Sequence, residues 1–160
     1  MKRILCILLT AVLLLGLASC ASLPAAERRI RKRAHVDIDL AGCRIEKETD
    51  THGGFFGDGE YLLVLDCGGN EETILAQTRE WSAFPLSAGL QEVLYEWGSG
   101  ERNEIPRISS GAWFFYDRFP DTAAFDRHSD ELLRARGAEN FSLLLYDSDH
   151  GRLYYYEMDT

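Results

Sequence analysis

The chain has 160 residues, with 17 Lys+Arg and 26 Asp+Glu, for a formal net charge of −9. That length sets one core as the expectation, and a composition 46% apolar and 27% charged excludes a mostly disordered chain. The acidic balance excludes a generic nucleic-acid binder, because binding phosphate needs a basic face.

Residues 1–20 read MKRILCILLTAVLLLGLASC. Lys2 and Arg3 form a basic start, and Ile4 to Ala18 is a nearly unbroken apolar run. Basic start, apolar run and small residues at the end are the layout of a secretory signal. The run is shorter than the ~20 residues a spanning helix needs. Leu17-Ala18-Ser19-Cys20 resembles the lipobox of bacterial lipoproteins. That resemblance implies cleavage after Ser19, a diacylglycerol on the Cys20 thiol and a place on the extracytoplasmic face of the cell membrane. It implies nothing about the activity of the remaining chain.

Five basic residues follow in a short space: Arg28, Arg29, Arg31, Lys32 and Arg33. With Glu27 they give Ala21 to Arg33 a net charge of +4, whereas Ala34 to Thr160 carries 10 Lys+Arg and 25 Asp+Glu, a net of −15. Residues 20–35 therefore read as a lipidated Cys and a basic tether. Such a tether either lies on anionic headgroups or stays solvated and extended.

Residues 36–160 read as a single α+β domain with a mainly antiparallel sheet and two to three helices. Val36-Asp37-Ile38-Asp39-Leu40 alternates as a half-buried strand does, and Gly42 suggests a bulge. Tyr61 to Cys67 is apolar and strand-like, so a long hairpin is expected, with strands near 36–48 and 60–67. Asn70 and Ser87 are candidate helix caps, the second ahead of a stripe of Leu90, Val93, Leu94 and Trp97. Trp113 to Tyr116 reads as a buried strand, and a short helix is expected near Ser129 to Arg136. Phe141–Tyr146 and Leu153–Met158 read as strands joined by the turn Asp147-Ser148-Asp149-His150-Gly151. This order favours an antiparallel α+β sheet over alternating α/β.

Of four cysteines, Cys6 belongs to the signal and Cys20 to the lipid, leaving Cys43 and Cys67. Pairing the hairpin strands about residue 55 sets Ile45 opposite Leu65 and Cys43 opposite Cys67. A Cys43–Cys67 disulfide is the expectation.

Residues 50–60, DTHGGFFGDGE, hold the most suggestive chemistry. Asp50, His52, Asp58 and Glu60 are candidate ligands for a small ligand or cation, against the plainer reading of a glycine-rich turn. Asp50-x-His52 with Gly57-Asp58 resembles the opening motifs of metal-dependent phosphoesterases. Those enzymes separate the two motifs by a βαβ unit, however, and the later ligand motifs are missing here. The body also resembles uncharacterised small lipoprotein domains with an Asp-x-His-Gly-Gly-Phe loop, which implies no activity. Tyr154-Tyr155-Tyr156 is a candidate aromatic platform. Asp147-x-Asp149-x-Gly151 is better explained as a turn than as a calcium loop. There is no Gly-x-Ser-x-Gly elbow and no glycine pattern that cradles phosphate, so no catalytic residue is named and no cofactor is implied. The expected role is binding or structural interaction at the envelope, with the membrane and an envelope protein or small ligand as partners and no nucleic acid. The alternative is a metal-dependent hydrolase-like or cation-binding domain using the 50–60 loop.

Overall fold

A computed structural model describes residues 22–53, 57–97, 100–119, 125–133, 135–136 and 138–160. The signal and lipobox, Gly54 to Phe56, Gly98-Ser99 and Arg134 lie outside the described residues. The strand runs Tyr61-Leu62-Leu63-Val64-Leu65 and Leu153-Tyr154-Tyr155-Tyr156 are apolar on both faces, and the fold covers both. Six antiparallel strands form one sheet: β1 Arg44–Asp50, β2 Gly59–Asp66, β3 Ser82–Ala83, β4 Gly111–Asp117, β5 Phe141–Asp147 and β6 Arg152–Asp159, in the order β1-β2-β6-β5-β4-β3. Helices α1 Leu23–Ala34 and α2 Glu71–Gln77 lie on one face, and α3 Ala88–Tyr95 with a 3₁₀ turn, Glu101–Glu104, lies on the other. The result is a single α+β domain of three layers, with an apolar core on each side of the sheet.

Alternation along the strands sorts their residues between the two cores. Tyr61, Leu63, Leu65, Leu144, Leu153 and Tyr155 meet α1 and α2. Leu62, Val64, Leu143, Leu145, Tyr154 and Tyr156 meet α3. The sheet edges are blunted differently. One is β1, RIEKETD, with charged residues along it, and the other is the two-residue β3.

The hairpin register has Ile45 opposite Leu65, as the sequence predicts. Cys43 and Cys67 are joined in a disulfide with S–S 2.07 Å, both buried. Ser87 caps α3, its Oγ accepting from the Leu90 N–H at 3.2 Å.

Four local expectations are corrected. Val36 to Leu40 is not a strand. Ile38 and Leu40 are buried in the α1-side core, and the Asp39 and Leu40 amides donate to Gln77 and Glu27 side chains instead of to a neighbouring strand. The bulge falls between Ile45 and Lys47 rather than at Gly42, which takes a positive φ of 86° in the preceding turn. Trp97 is 44% exposed, because α3 ends at Tyr95 before the stripe reaches it. Among the described residues of 129–136 there are turns and no helix.

The largest correction concerns residues 23–34. Charge composition predicts a tether, but the segment is a helix seated on the sheet. Ala26, Ile30 and Ala34 recur every fourth residue and are 5%, 0% and 0% exposed. They form an apolar seam that the dense arginines disguise in composition. Arg31, Lys32 and Arg33 in the last turn suit the negative end of the helix dipole.

Candidate functional site

α1 crosses the sheet so that Arg29 and Arg33, one helical turn apart, face the ends of β6 and β1. On β6, Glu157 and Asp159 are two residues apart and so share a face. Arg29 grips Glu157 in two-pronged fashion, with Nε to Oε1 at 2.7 Å and Nη2 to Oε2 at 3.1 Å. Its Nη1 donates to Asp50 Oδ2 at 3.0 Å, and its guanidinium stacks 3.5 Å from the centroid of the Tyr61 ring. Arg33 Nε donates to Glu157 Oε2 at 3.1 Å, and its Nη2 pairs with Asp159. Arg118, at the end of β4, donates to Asp159 Oδ1 at 2.8 Å and to the Phe141 and Met158 carbonyls at 2.7 and 2.9 Å. Tyr155 donates its hydroxyl to Glu157 Oε1 at 2.6 Å.

His52 joins this network from the loop after β1. Its Nδ1 lies 2.6 Å from Asp50 Oδ1, and its Nε2 lies 3.1 Å from Asp159 Oδ2. Three guanidiniums thus stand against three carboxylates, with one imidazole bridging two of the acids.

The electrostatics follow from this packing. Burial alone would raise the Glu157 carboxyl, but the Arg29 guanidinium and the Tyr155 hydroxyl hold it below the usual carboxylate range. Burial likewise acts to raise Asp50, and hydrogen bonds from His52 and Arg29 outweigh it, so its carboxyl also sits low. The Tyr155 hydroxyl is pushed up by burial and by the adjacent Glu157 charge.

The ligand atoms of His52, Glu157 and Asp159 lie within 4.8 Å of one another, a spacing a metal ion could use. The chemistry of the donor set does not fit one. Both Glu157 oxygens and both Asp159 oxygens already accept from arginine. A divalent cation would have to displace guanidinium charge it cannot coexist with at that range. His52 is no freer as a general base, since a substrate would have to compete with Asp159 for Nε2.

The four residues named from the loop do not converge. Asp50 and His52 enter the network on the α1 side. Asp58 is exposed. Glu60 alternates with Tyr61 and faces the α3 side, where it accepts from the Glu101 amide at 2.6 Å and from buried Arg102 at 3.2 Å. Arg102 also faces Glu139, whose carboxyl is raised by burial despite that neighbour. The pair therefore fastens the 3₁₀ turn to the sheet.

Sequence reasoning missed Arg29, Arg33, Arg118, Glu157 and Asp159. Two signals were present: basic residues one helical turn apart, and two carboxylates at even spacing closing a tyrosine-rich strand. The tyrosine platform is absent as a surface, since Tyr154, Tyr155 and Tyr156 are 4%, 0% and 0% exposed. Asp147 holds the β5–β6 turn by accepting from the Asp149 and His150 amides at 3.1 and 3.3 Å.

A cleft of about 200 Å³ beside Arg29, lined by Ala25, Ile45, Glu48 and Tyr61 among others, is below the ~300 Å³ at which small-molecule pockets begin. No helix among the described residues is long and apolar enough to cross a membrane. The chain matches no protein-family model, no curated protein and no solved structure.

Proposed function

We propose that this chain is a lipid-anchored extracytoplasmic domain whose role is binding or structural interaction at the cell envelope. The observation that carries the reading is Leu17-Ala18-Ser19-Cys20 behind a basic start and a long apolar run. The Cys43–Cys67 disulfide supports it, because such bonds persist outside the reducing cytosol. The charge network favours interaction over catalysis. Its carboxylates and imidazole are engaged with one another and with arginines, which leaves Glu157, Asp159 and His52 poorly placed to act as a general base or to take a metal.

The test is expression of the full chain in a bacterial host, followed by membrane fractionation and intact mass. The expected product begins at Cys20, carries a lipid mass increment and sediments with membranes. Cys20→Ala is expected to give an unprocessed or soluble chain. A processed, membrane-bound Cys20→Ala product overturns the reading.

A further inference from the structure

We propose that the outward face of α1 rests on anionic headgroups of the membrane that the Cys20 lipid enters, turning the α1 side of the sheet toward the bilayer and α3 away from it. This rests on the lipid-anchor reading above, and it adds an orientation and a contact surface to it.

The first argument is chain length. Only Ala21 and Ser22 separate Cys20 from Leu23, where α1 begins. Fully extended, three residues reach at most about 11 Å. A lipid at Cys20 therefore leaves α1 no room to leave the surface. Residues 23–34 of the expected stalk do not act as a spacer, because they form α1, whose Ala26, Ile30 and Ala34 lie in the core.

The second argument is the division of basic residues around α1. Arg29 and Arg33 turn inward to Glu157 and Asp159. Arg28, Arg31 and Lys32 are exposed. Arg31 pairs with exposed Asp37, while Arg28 and Lys32 have no ion-pair partner among the described residues. A 12-residue helix, about 18 Å long, thus presents Arg28 and Lys32 without an ion-pair partner, while its one acid, Glu27, is half-buried and accepts from the Leu40 amide.

The third argument is complementarity. The chain after Arg33 carries a net −15, so most of its surface is repelled by an anionic bilayer. α1 is the strip that such a surface attracts, and the attraction acts within a Debye length of it. Glu71 and Glu72 on the same side of the sheet start α2 beside the β5–β6 turn, Glu71 lying close to Gly151. α1 instead meets the other end of β6, at Glu157 and Asp159. Repulsion at the α2 end tilts the α1 end downward.

The sequence supplies its own probes. After signal removal its lysines are Lys32 and Lys47. Lys32 is on the outer face of α1. Lys47 pairs with Glu101 and Glu104 of the 3₁₀ turn on the α3 side, at 3.6 and 3.5 Å, and remains 39% exposed. The lipidated full chain is incorporated into vesicles of phosphatidylcholine, alone or with phosphatidylglycerol. Amines are acylated in a time course and read by mass spectrometry. Lys32 is expected to react several-fold more slowly on the anionic vesicles, with Lys47 unchanged. About 0.5 M salt, where the Debye length is about 4 Å, should restore its rate. Arg28→Glu with Arg31→Glu should abolish the protection while the circular dichroism spectrum stays the same. With lipid present on Cys20, equal Lys32 rates on the two vesicles overturn this proposal and leave the anchor standing. Protection of Lys32 on neutral vesicles to the same degree overturns its electrostatic basis. Absence of lipid on Cys20 overturns the anchor reading and this proposal together.

Discussion

Arg29 of α1 and Glu157 of β6, 128 residues apart, meet through two parallel hydrogen bonds of 2.7 and 3.1 Å. Glu157 is fully buried, near the end of β6 and directly after Tyr154-Tyr155-Tyr156. A carboxylate there is tolerated only because arginines meet it. The N-terminal helix and the last strand are thereby fastened to each other, and the ends of the domain close the fold.

Removing one partner should expose that dependence. Glu157→Ala leaves Arg29 and Arg33 facing a hole and is expected to cost about 3–5 kcal/mol, the usual loss when one member of a buried pair is removed. Urea denaturation followed by circular dichroism measures it. A loss below about 1 kcal/mol, the size of a surface pair, would show that the network adds little.

The same group dictates acid sensitivity. The Glu157 and Asp50 carboxyls sit below their ordinary values in the folded state. Groups lowered in this way contribute stability above their unfolded pKa values, about 4.3 and 3.9, and lose it as pH falls through the folded ones. Glu139, raised by burial, acts in the opposite direction and gains stability as pH falls. With two groups against one, Tm should fall as pH drops below about 5, and Glu157→Gln should flatten the decline. An unchanged slope in Glu157→Gln would assign acid unfolding to other carboxylates.

α1 belongs to the domain, and core substitution there should read as core substitution. Ile30 is 0% exposed, so Ile30→Ala is expected to cost about 2–5 kcal/mol. Starting the chain at Val36 uncovers Leu144, Tyr155 and Glu157 together and should give an aggregating or molten product. A well-folded chain from Val36 onward would return residues 23–34 to the status of a tether.

Divalent cations are expected to leave Tm unchanged, because arginines already donate to both oxygens of Glu157 and of Asp159 beside His52. Thermal shifts with zinc, calcium, magnesium and manganese check this. A saturable rise that His52→Ala removes would establish a metal site.

Cys43 and Cys67 close a loop with a sequence separation of 24. In the chain-entropy treatment that is worth about 3.5 kcal/mol, so the Cys43→Ser, Cys67→Ser double variant should lose stability of that order. Intact mass before and after reduction should differ by the mass of two hydrogen atoms. No difference would mean free thiols.

Short-range chemistry was readable in advance. The Ser87 cap, the Ile45–Leu65 register and the Cys43–Cys67 pairing each depend on residues close in sequence or joined by one hairpin. The α+β class followed from the same hairpins. What composition misread was α1. Five basic residues in six positions look solvated, yet charge density says nothing about which face of a helix each one occupies. The fourfold spacing of Ala26, Ile30 and Ala34 held that information, but the seam becomes a core element only when a sheet is present to receive it. Glu157 and Asp159, which pair with Arg29 and Arg33, lie more than 120 residues away. The sequence by itself therefore determined the β5–β6 hairpin, the Ile45–Leu65 register, the Ser87 cap and the class of fold. Tertiary structure alone decided that the basic segment is half core and half surface, because burying a charge depends on where its counter-charge arrives, and only the folded chain brings β6 beneath α1.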